Sequence, residues 1–274
     1  MSQPSLTDRD ALMRHRARAD GTAWFLHEVA IDEIQERLKD VNRRFTDPAV
    51  VTAHPAVWAD AVPGARLVEA GDVLDLAPLS CDLVVHAMCL HWADDPVGQL
   101  IQCRRALRED GLLLVATPGG ETLSELRAAL GQAEMEVAGG LSPRVAPMAE
   151  IRDLGGLLSR AGLALPVADR LPMTVRYRDV AHLARDLRAM GETNALAARH
   201  RRIPPRALFA AADRHYRDAF PDGDGIRATF ELVFLAGWAP SETQQKPLRP
   251  GSARARLADA LGVPELDADK GTGR

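Results

Sequence analysis

Side chains that could line a ligand pocket follow the apolar run at residues 82–85. They are His86, Met88, His91 and Trp92. Trp92 could stack on a flat ring of a ligand, or it could anchor the core by packing on the helix that follows. His86 and His91 could bind a metal only with a third ligand, and the spacing of the sequence supplies none. The segment therefore predicts a pocket and no metal site.

Motifs of metal-dependent and nucleophilic enzymes are absent from the sequence. An iron centre that activates oxygen usually takes two histidines and a carboxylate, yet none of the eight histidines has Asp or Glu two positions later. The sequence also lacks the glycine-rich dinucleotide fingerprint, the P-loop, GxSxG and HExxH. The candidate functional residues are therefore pocket residues rather than members of a catalytic motif.

The composition is that of a folded globular protein. Of 274 residues, 46% are hydrophobic and 26% are charged, which is enough apolar surface for a core and argues against bulk disorder. The net charge of −4 argues against nucleic acid as a partner. No apolar run reaches the roughly 18–20 residues that a membrane-spanning helix needs, so we expect that any contact with a membrane is peripheral.

The cysteine pattern indicates the compartment. Cys81, Cys89 and Cys103 form no CxxC pair, which argues against a zinc site and against a redox pair. Scattered single thiols are typical of a reducing compartment. The basic N-terminal residues are not followed by the apolar region of a secretory signal. We therefore expect a cytoplasmic protein.

The elements of the first half follow from hydrophobic periodicity. Residues 1–46 are predicted to form an N-terminal helical segment, since apolar residues in 31–41 recur every three or four positions. Short buried strands are predicted at 49–52 and 65–68. A strand at 81–86, a helix at 96–108 and a strand at 112–116 then form a βαβ crossover, which implies a parallel sheet and an α/β fold.

The second half is predicted to be mostly helical. The main domain spans 47–240 and includes a helical insertion at about 121–220, with helices at 121–138, 149–161, 179–190 and 205–219. A late strand is predicted at 228–237. The last residues, 241–274, are rich in Pro, Gly, Arg and Asp, and we expect a loosely held tail.

The stretch 71–115 resembles the middle of a class I S-adenosylmethionine (SAM)-dependent methyltransferase. It contains, in the order typical of that family, an acidic turn, an Asp-Leu-Val strand at 82–84, Leu-His-Trp at 90–92, a helix ending in Arg-Ala-Leu at 105–107, and Asp-Gly before the next strand. The resemblance implies a Rossmann-like methyltransferase sheet with SAM as its cofactor.

Segments of the second half narrow this resemblance. Residues 119–127, 139–147, 153–162, 190–194 and 251–253 resemble the methyltransferase-like assembly factors of respiratory complex I, which are described as arginine hydroxylases. That group is related to the malonyl-carrier-protein methyltransferases of biotin synthesis. The resemblance implies a role in complex I assembly, with a complex I subunit as the partner.

The resemblance also implies which residues would contact the cofactor. These positions follow the ends of the first parallel strands and are Thr52, His54, Glu69, Asp72, Val73, His86, Met88, His91 and Trp92. Glu69 would hold the ribose hydroxyl groups, and Asp72 with Val73 would hold the adenine. Asp72 could instead be a turn residue after Gly71.

The glycine-rich turn of the family is missing. Ala53, His54 and Pro55 occupy its place, so no glycine permits close approach of a ligand, and Pro55 has no N–H to donate. Only 37 residues run from Ala49 to Val85, whereas an intact set of strands and helices would need roughly 60. The sequence therefore predicts a shortened N-terminal half of the sheet and degenerate SAM binding.

Substrate-binding residues are implied in the segments that match the assembly factors. They are Gly119, Gly120, Arg144, Glu192 and Asn194. Gly119 and Gly120 follow a strand at the edge where such sheets bind ligands, and the other three could hold an anionic or peptide substrate. The alternative is that these residues belong to solvated helix faces and turns.

Three hypotheses about function remain open from the sequence. The first is a methyltransferase-like assembly factor of complex I with degenerate SAM binding. The second is an active SAM-dependent methyltransferase that acts on a small molecule. The third is a carrier-protein methyltransferase of the biotin-synthesis type.

Overall fold

The computed structural model describes residues 5–244 of the chain. The helices in this range are α1 (Arg9–Arg16), α2 (Phe25–Asp40), α3 (Pro55–Trp58), α4 (Pro96–Ala106), α5 (Ser124–Ala138), α6 (Ile151–Arg160), α7 (Val180–Ala189) and α8 (Arg206–Ala219). The strands are β1 (Pro48–Thr52), β2 (Arg66–Glu69), β3 (Cys81–Ala87), β4 (Leu107–Pro118), β5 (Ala164–Tyr177), β6 (Pro221–Asp222) and β7 (Gly225–Trp238).

The described strands form one mixed sheet in the order β2-β1-β3-β4-β7-β5, with β6 paired to β7. β2, β1, β3 and β4 are parallel to one another, and β7 is antiparallel to both β4 and β5. The predicted βαβ crossover is β3-α4-β4, and Asp95 caps its helix by accepting the backbone N–H of Gly98 at 2.8 Å. The predicted α/β fold with a Rossmann-like sheet is confirmed.

Side chains of the central strands alternate between the two faces of the sheet, and both faces are buried by helices. Leu112 and Leu114 of β4 pack in one apolar cluster with residues of α2, α5 and α8. Leu113 and Val115 of the same strand pack in a second cluster with residues of α4 and α6. The sheet is therefore a rigid layer between two helical layers, as parallel sheets require.

The connection from β2 to β3 is short. β2 is an edge strand, and the chain returns to β3 through residues 70–80, which contain neither helix nor strand. A parallel connection usually includes a helix. The missing helix accounts for the small number of residues between Ala49 and Val85, and it matches the predicted shortening of the N-terminal half.

The region predicted as a helical insertion contains α5, α6, α7 and α8, and it also contains β5, which the sequence analysis did not predict. β5 has 14 residues and lies at the outer edge of the sheet, paired with β7. It contains Pro166 and Pro172 and exposes most of its side chains. Proline is tolerated on an edge strand, where one side of the backbone needs no partner. Apolar residues alternate with exposed ones from Leu171 to Tyr177, a strand pattern that the two prolines obscure.

Residues up to Ser241 form one compact unit. The described part of the N-terminal segment 1–46 contains α1 and α2. Gly21, at φ +78°, lies in the break between these two helices. Most of the predicted tail, 241–274, lies outside the described residues. No helix within residues 5–244 is long and apolar enough to cross a membrane.

One carboxylate fixes the start of β1 against β3. Asp82 is 8% exposed, and it accepts the backbone N–H groups of Thr46 at 2.6 Å and Asp47 at 2.9 Å, together with the Thr46 hydroxyl at 3.0 Å. Burial opposes ionisation of Asp82, but these hydrogen bonds outweigh it and hold the pKa of the carboxyl below its usual value.

We expect Asp82→Asn to lower the free energy of unfolding at pH 7 by about 1–3 kcal/mol, because buried donors lose a charged acceptor. Since the folded pKa lies below the usual value of 3.8, the stabilisation is present above that pH and is lost as the pH falls through the folded pKa. Urea denaturation at several pH values measures this. Asp75→Asn, at a side chain that is 97% exposed, is the control, and equal losses in both variants would contradict the assignment.

Candidate functional site

The carboxyl ends of the parallel strands meet along one edge of the sheet, which we call the carboxyl edge. Thr52 at the end of β1 pairs with Glu69 of β2 and with Ala87 of β3. Ala87 pairs in turn with Ala116 of β4. Ligands of open α/β sheets bind outside this edge, so it is the place where the implied cofactor residues should gather.

His54 lies inside the protein rather than in an open loop. The residue is 8% exposed, and the Thr52 hydroxyl accepts its backbone N–H at 3.1 Å. Its ring packs against the rings of Trp24 and His27, at centroid distances of 4.7 and 5.1 Å. Burial lowers the pKa of His54 to about 4, so this ring is neutral at neutral pH.

Gly191 covers His54 from the segment after α7. It adopts φ +79°, and a Cβ at this position would lie 3.0 Å from the Arg16 Cα and 3.4 Å from the His54 Cε1. Glycine meets both demands, because it tolerates positive φ and has no side chain to collide. The end of α1 and the segment after α7 therefore close over the end of β1.

Three other implied cofactor residues lie on the outside of the carboxyl edge. Glu69 ends β2 with an exposed side chain, and Val73 is 84% exposed. Asp72 forms an ion pair with Arg9 of α1. Their contact with a cofactor remains a prediction, and the structure places them on the surface near the end of β2.

His86 connects three elements in the interior. It is fully buried, and its Nε2 lies 2.8 Å from the Gln99 Oε1 of α4. The Gln99 amide donates in turn to the Gly71 carbonyl at 2.9 Å. Burial lowers the pKa of His86 to about 4. His86 therefore ties β3 to α4 and to the connection after β2 as a neutral side chain.

The residues after β3 are buried as well. Met88 has φ +52° and is 5% exposed. The Cys89 Sγ lies 3.6 Å from the His86 Nδ1, and burial raises the pKa of the Cys89 thiol to about 12. A thiol that stays protonated is a weak nucleophile, so Cys89 serves packing rather than covalent chemistry.

Glu192 joins the segment after β3 to the segment after α7. Its Oε2 accepts the Trp92 indole N–H at 2.7 Å and lies 3.1 Å from the His91 Nε2. Burial opposes ionisation of Glu192, but His91, the nearby Arg16 charge and the Trp92 hydrogen bond outweigh it and lower the pKa of the carboxyl to about 2. Glu192 is therefore ionised throughout the physiological pH range.

A cavity of about 380 Å³, which we call the central cavity, opens beside Glu192. Five residues predicted from the sequence line it, namely His91, Trp92, Arg144, Glu192 and Asn194. The lining residues do not include Thr52, His54, Glu69 or Asp72. Trp92 is buried in a small apolar cluster with Leu12 and Leu196, rather than on the helix that follows it, and it also lines this cavity. Its stacking on a ligand ring remains a prediction.

The loops around the central cavity are held by side chains that the sequence singled out. The Asn194 amide donates to the Pro143 carbonyl at 2.9 Å. Arg144 forms an ion pair at 2.6 Å with Glu134, whose side chain is 4% exposed. These contacts fix the segment 139–148 beside the segment 191–195, which brings two distant parts of the chain to one cavity.

Gly119 and Gly120 have a packing role at the end of β4. A Cβ at Gly119 would overlap the Glu231 carboxylate, and one at Gly120 would lie 2.5 Å from the Glu150 Oε1. Neither glycine lines the central cavity, although their neighbours Pro118 and Thr122 do. Their role in substrate binding remains a prediction.

Sequence reasoning missed Arg16, which lies at the end of α1. Within the described residues, its Nε and Nη2 atoms are buried without a hydrogen-bond partner, as are the His54 Nε2 and the His91 Nδ1. Buried polar atoms are normally paired, so these atoms mark places where a bound group would gain hydrogen bonds. The sequence holds no motif around Arg16 that could have indicated this.

Metal-ligating side chains do not converge in the described part of the chain. Among residues 5–244, no group of three or more His, Cys, Asp or Glu side chains is placed to hold a metal ion. Cys81, Cys89 and Cys103 are free and buried. In this part of the chain, the histidines and Glu192 therefore act as hydrogen-bonding groups rather than as shared ligands of a metal ion.

Comparison with known proteins shows where this arrangement belongs. A methyltransferase domain model matches residues 20–115. Residues 20–115 therefore resemble the methyltransferase domain family, and the chain has a methyltransferase-like fold. A Bacillus halodurans protein described as a methyltransferase shares the fold, with a TM-score of 0.50 at 12% identity over 76% of this chain and 99% of that chain.

Two curated relatives carry different names. Arginine-hydroxylase NDUFAF5, mitochondrial, of Dictyostelium discoideum is 39% identical over 186 residues, which is 67% of this chain and 42% of the relative. Malonyl-[acyl-carrier protein] O-methyltransferase of Methylovorus sp. is 33% identical over 189 residues, which is 68% of this chain and 62% of the relative. The chain spans about half the length of the curated relatives it matches.

The carboxyl edge does not fit SAM in the manner that the resemblance implies. The turn after β1 contains Ala53, His54 and Pro55 in place of glycines, and the His54 ring packs where a ligand would need open space. Pro55 begins α3 and has no N–H to offer. Glu69 is exposed at the end of β2, but a carboxylate for the ribose does not replace the missing backbone donors.

We expect Glu192→Gln to lower the free energy of unfolding at pH 7 by about 1–3 kcal/mol, because an ionised acceptor of two ring donors is lost. The folded pKa of about 2 lies below the usual 4.5, so the stabilisation is present above pH 4.5 and is lost as the pH falls toward 2. Chemical denaturation between pH 3 and 7 measures this.

The matched control for Glu192 is Glu109→Gln, at an exposed residue of β4. A stability difference between the wild type and Glu192→Gln that persists unchanged at pH 3 would contradict the ionised state of Glu192. A loss in Glu109→Gln as large as that in Glu192→Gln would contradict the importance of the buried site.

Proposed function

We propose that this protein is a methyltransferase-like factor that acts in the assembly of respiratory complex I. The observation that carries the proposal is the convergence of His91, Trp92, Arg144, Glu192 and Asn194 on one cavity. Arg144, Glu192 and Asn194 lie in segments that resemble the complex I assembly factors, and the similarity to arginine hydroxylases supports the same grouping. His91 and Trp92 come from the stretch 71–115, which resembles class I methyltransferases. The partner in this proposal is a complex I subunit, and the location is cytoplasmic.

Degenerate SAM binding is part of the proposal. The end of β1 is packed against the rings of Trp24 and His27 and is covered by Gly191. Opening it for a nucleoside would separate these contacts, and the turn would still lack glycines. The central cavity, by contrast, is already formed. The activity in this proposal therefore depends on the cavity and its charged residues.

A second candidate is SAM-dependent methyl transfer to a small molecule or to a carrier protein. The observation that favours it is the identity of 33–35% to malonyl-[acyl-carrier protein] O-methyltransferases over about two thirds of the chain. The arginines of the cavity also suit an anionic substrate. The altered carboxyl edge argues against it.

We expect that deleting the gene lowers the NADH:ubiquinone oxidoreductase activity of isolated membranes at least threefold, because unassembled complex I is inactive. The wild-type gene and Glu109→Gln should restore the activity. Glu192→Gln should fail to restore it at equal abundance, which immunoblotting measures.

Growth of the same deletion strain without biotin separates the two candidate functions. Unchanged complex I activity in the deletion strain would overturn the assembly role. A requirement for biotin together with unchanged complex I activity would support the carrier-protein methyltransferase instead.

We expect no heat of SAM binding in titration calorimetry at ligand concentrations up to about 1 mM, which corresponds to a binding free energy weaker than about −4 kcal/mol. The physical reason is the packed turn at His54 and Pro55. A methyltransferase that is known to bind SAM serves as the positive control. Micromolar binding would overturn the degenerate SAM site and would favour the second candidate.

A further inference from the structure

The wall of the central cavity is apolar. Leu126 and Leu130 of α5, Met190 after α7 and Phe230 of β7 line it, and each is at most 8% exposed. Small-molecule pockets span roughly 300–1,000 Å³ and are lined mainly by apolar side chains. At about 380 Å³, the cavity can hold one small ligand with a largely apolar body.

The rim of the cavity is cationic. Arg188 in the last turn of α7 and Arg202 in the segment before α8 line it with exposed side chains. Neither forms an ion pair within residues 5–244. Two other lining arginines are already paired, Arg144 with Glu134 and Arg199 with Asp8. Arg188 and Arg202 are therefore the charges that a ligand could neutralise.

The acidic content of the cavity is small. Among the described lining residues, Glu192 is the one carboxylate, and it is already engaged by His91 and Trp92. A cationic ligand would meet unpaired arginines at the rim and an occupied carboxylate inside. Like charges repel and opposite charges attract most where water is partly excluded, so the charge pattern selects an anion.

We propose that the central cavity binds a medium-chain acyl carboxylate, with the chain against Leu126, Leu130 and Phe230 and the carboxylate at Arg188 and Arg202. An aliphatic chain satisfies the apolar wall, and a terminal anion satisfies the rim. The inference rests on the proposed function in that it assigns a ligand to the same cavity. Binding of the carboxylate can be measured separately from complex I activity.

The probe is 11-bromoundecanoate, because bromine in the cavity quenches the fluorescence of Trp92, which lines it. The neutral control is 11-bromoundecanol, which has the same chain without the anion. We expect saturable quenching by the acid and at least tenfold weaker binding of the alcohol. This comparison uses the wild-type protein alone, so it holds whether or not any variant folds.

Two variants test the two parts of the site. Ala184→Phe, at a residue that lines the cavity, should fill the space and reduce binding of the acid at least tenfold. The double variant Arg188→Glu, Arg202→Glu should bind the acid about tenfold or more weakly than the wild type does. Its binding of the alcohol should be unchanged. Arg152→Glu, at an exposed arginine of α6, is the matched control and should bind as the wild type does. Circular dichroism establishes that each variant is folded.

Absence of saturable quenching by the acid would overturn the inference. Equal binding of acid and alcohol, or an unchanged affinity of the folded Arg188→Glu, Arg202→Glu variant, would overturn the anionic specificity. Unchanged binding in folded Ala184→Phe would show that the probe binds elsewhere, which also overturns the assignment. Since none of these results concerns complex I activity, failure here is distinguishable from failure of the proposed assembly role.

Discussion

The arrangement of the candidate site depends on the ionised carboxylate of Glu192. It accepts hydrogen bonds from side chains that follow β3, while its own backbone belongs to the segment after α7. The Glu192 side chain is 21% exposed, and a partly buried charge of this kind is stabilised by the donors and opposite charges that surround it. His91, Trp92 and Arg16 supply these donors and charges. The interaction that keeps Glu192 charged also joins the segment after β3 to the segment after α7. The central cavity lies beside this junction.

The carboxyl edge has a different electrostatic character. Burial lowers the pKa of His27 to about 3 and that of His54 and His86 to about 4, so these rings are neutral at physiological pH. They act as packing and hydrogen-bonding groups, as the bond from Trp58 to His27 at 3.0 Å illustrates. The place where a Rossmann-like sheet usually receives its cofactor is thus filled by neutral aromatic rings, and the charged groups lie in the adjoining cavity.

The sequence predicted those parts of the fold that rest on strong local patterns. The β3-α4-β4 crossover was predictable because its strands are continuous apolar runs and Asp95 caps its helix. β5 was missed although its apolar residues alternate from Leu171 to Tyr177, because Pro166 and Pro172 are unusual within a strand. Similarly, the sequence placed Glu192 and Asn194 in the site through resemblance to a family. It could not indicate Arg16, because the burial of its guanidinium depends on the segment around Gly191, which is distant in sequence.

The two halves of the chain contribute unequally to the central cavity. The N-terminal half, which would hold a nucleoside, has no helix between β2 and β3 and no glycine-rich turn after β1. The other half builds the central cavity from α5, α7 and the segments at 139–148 and 191–205. The cavity combines an apolar wall with rim arginines that form no ion pair within residues 5–244, and neither property requires SAM. The central cavity is thus independent of the backbone after β1, because most of its lining comes from side chains of the other half of the chain.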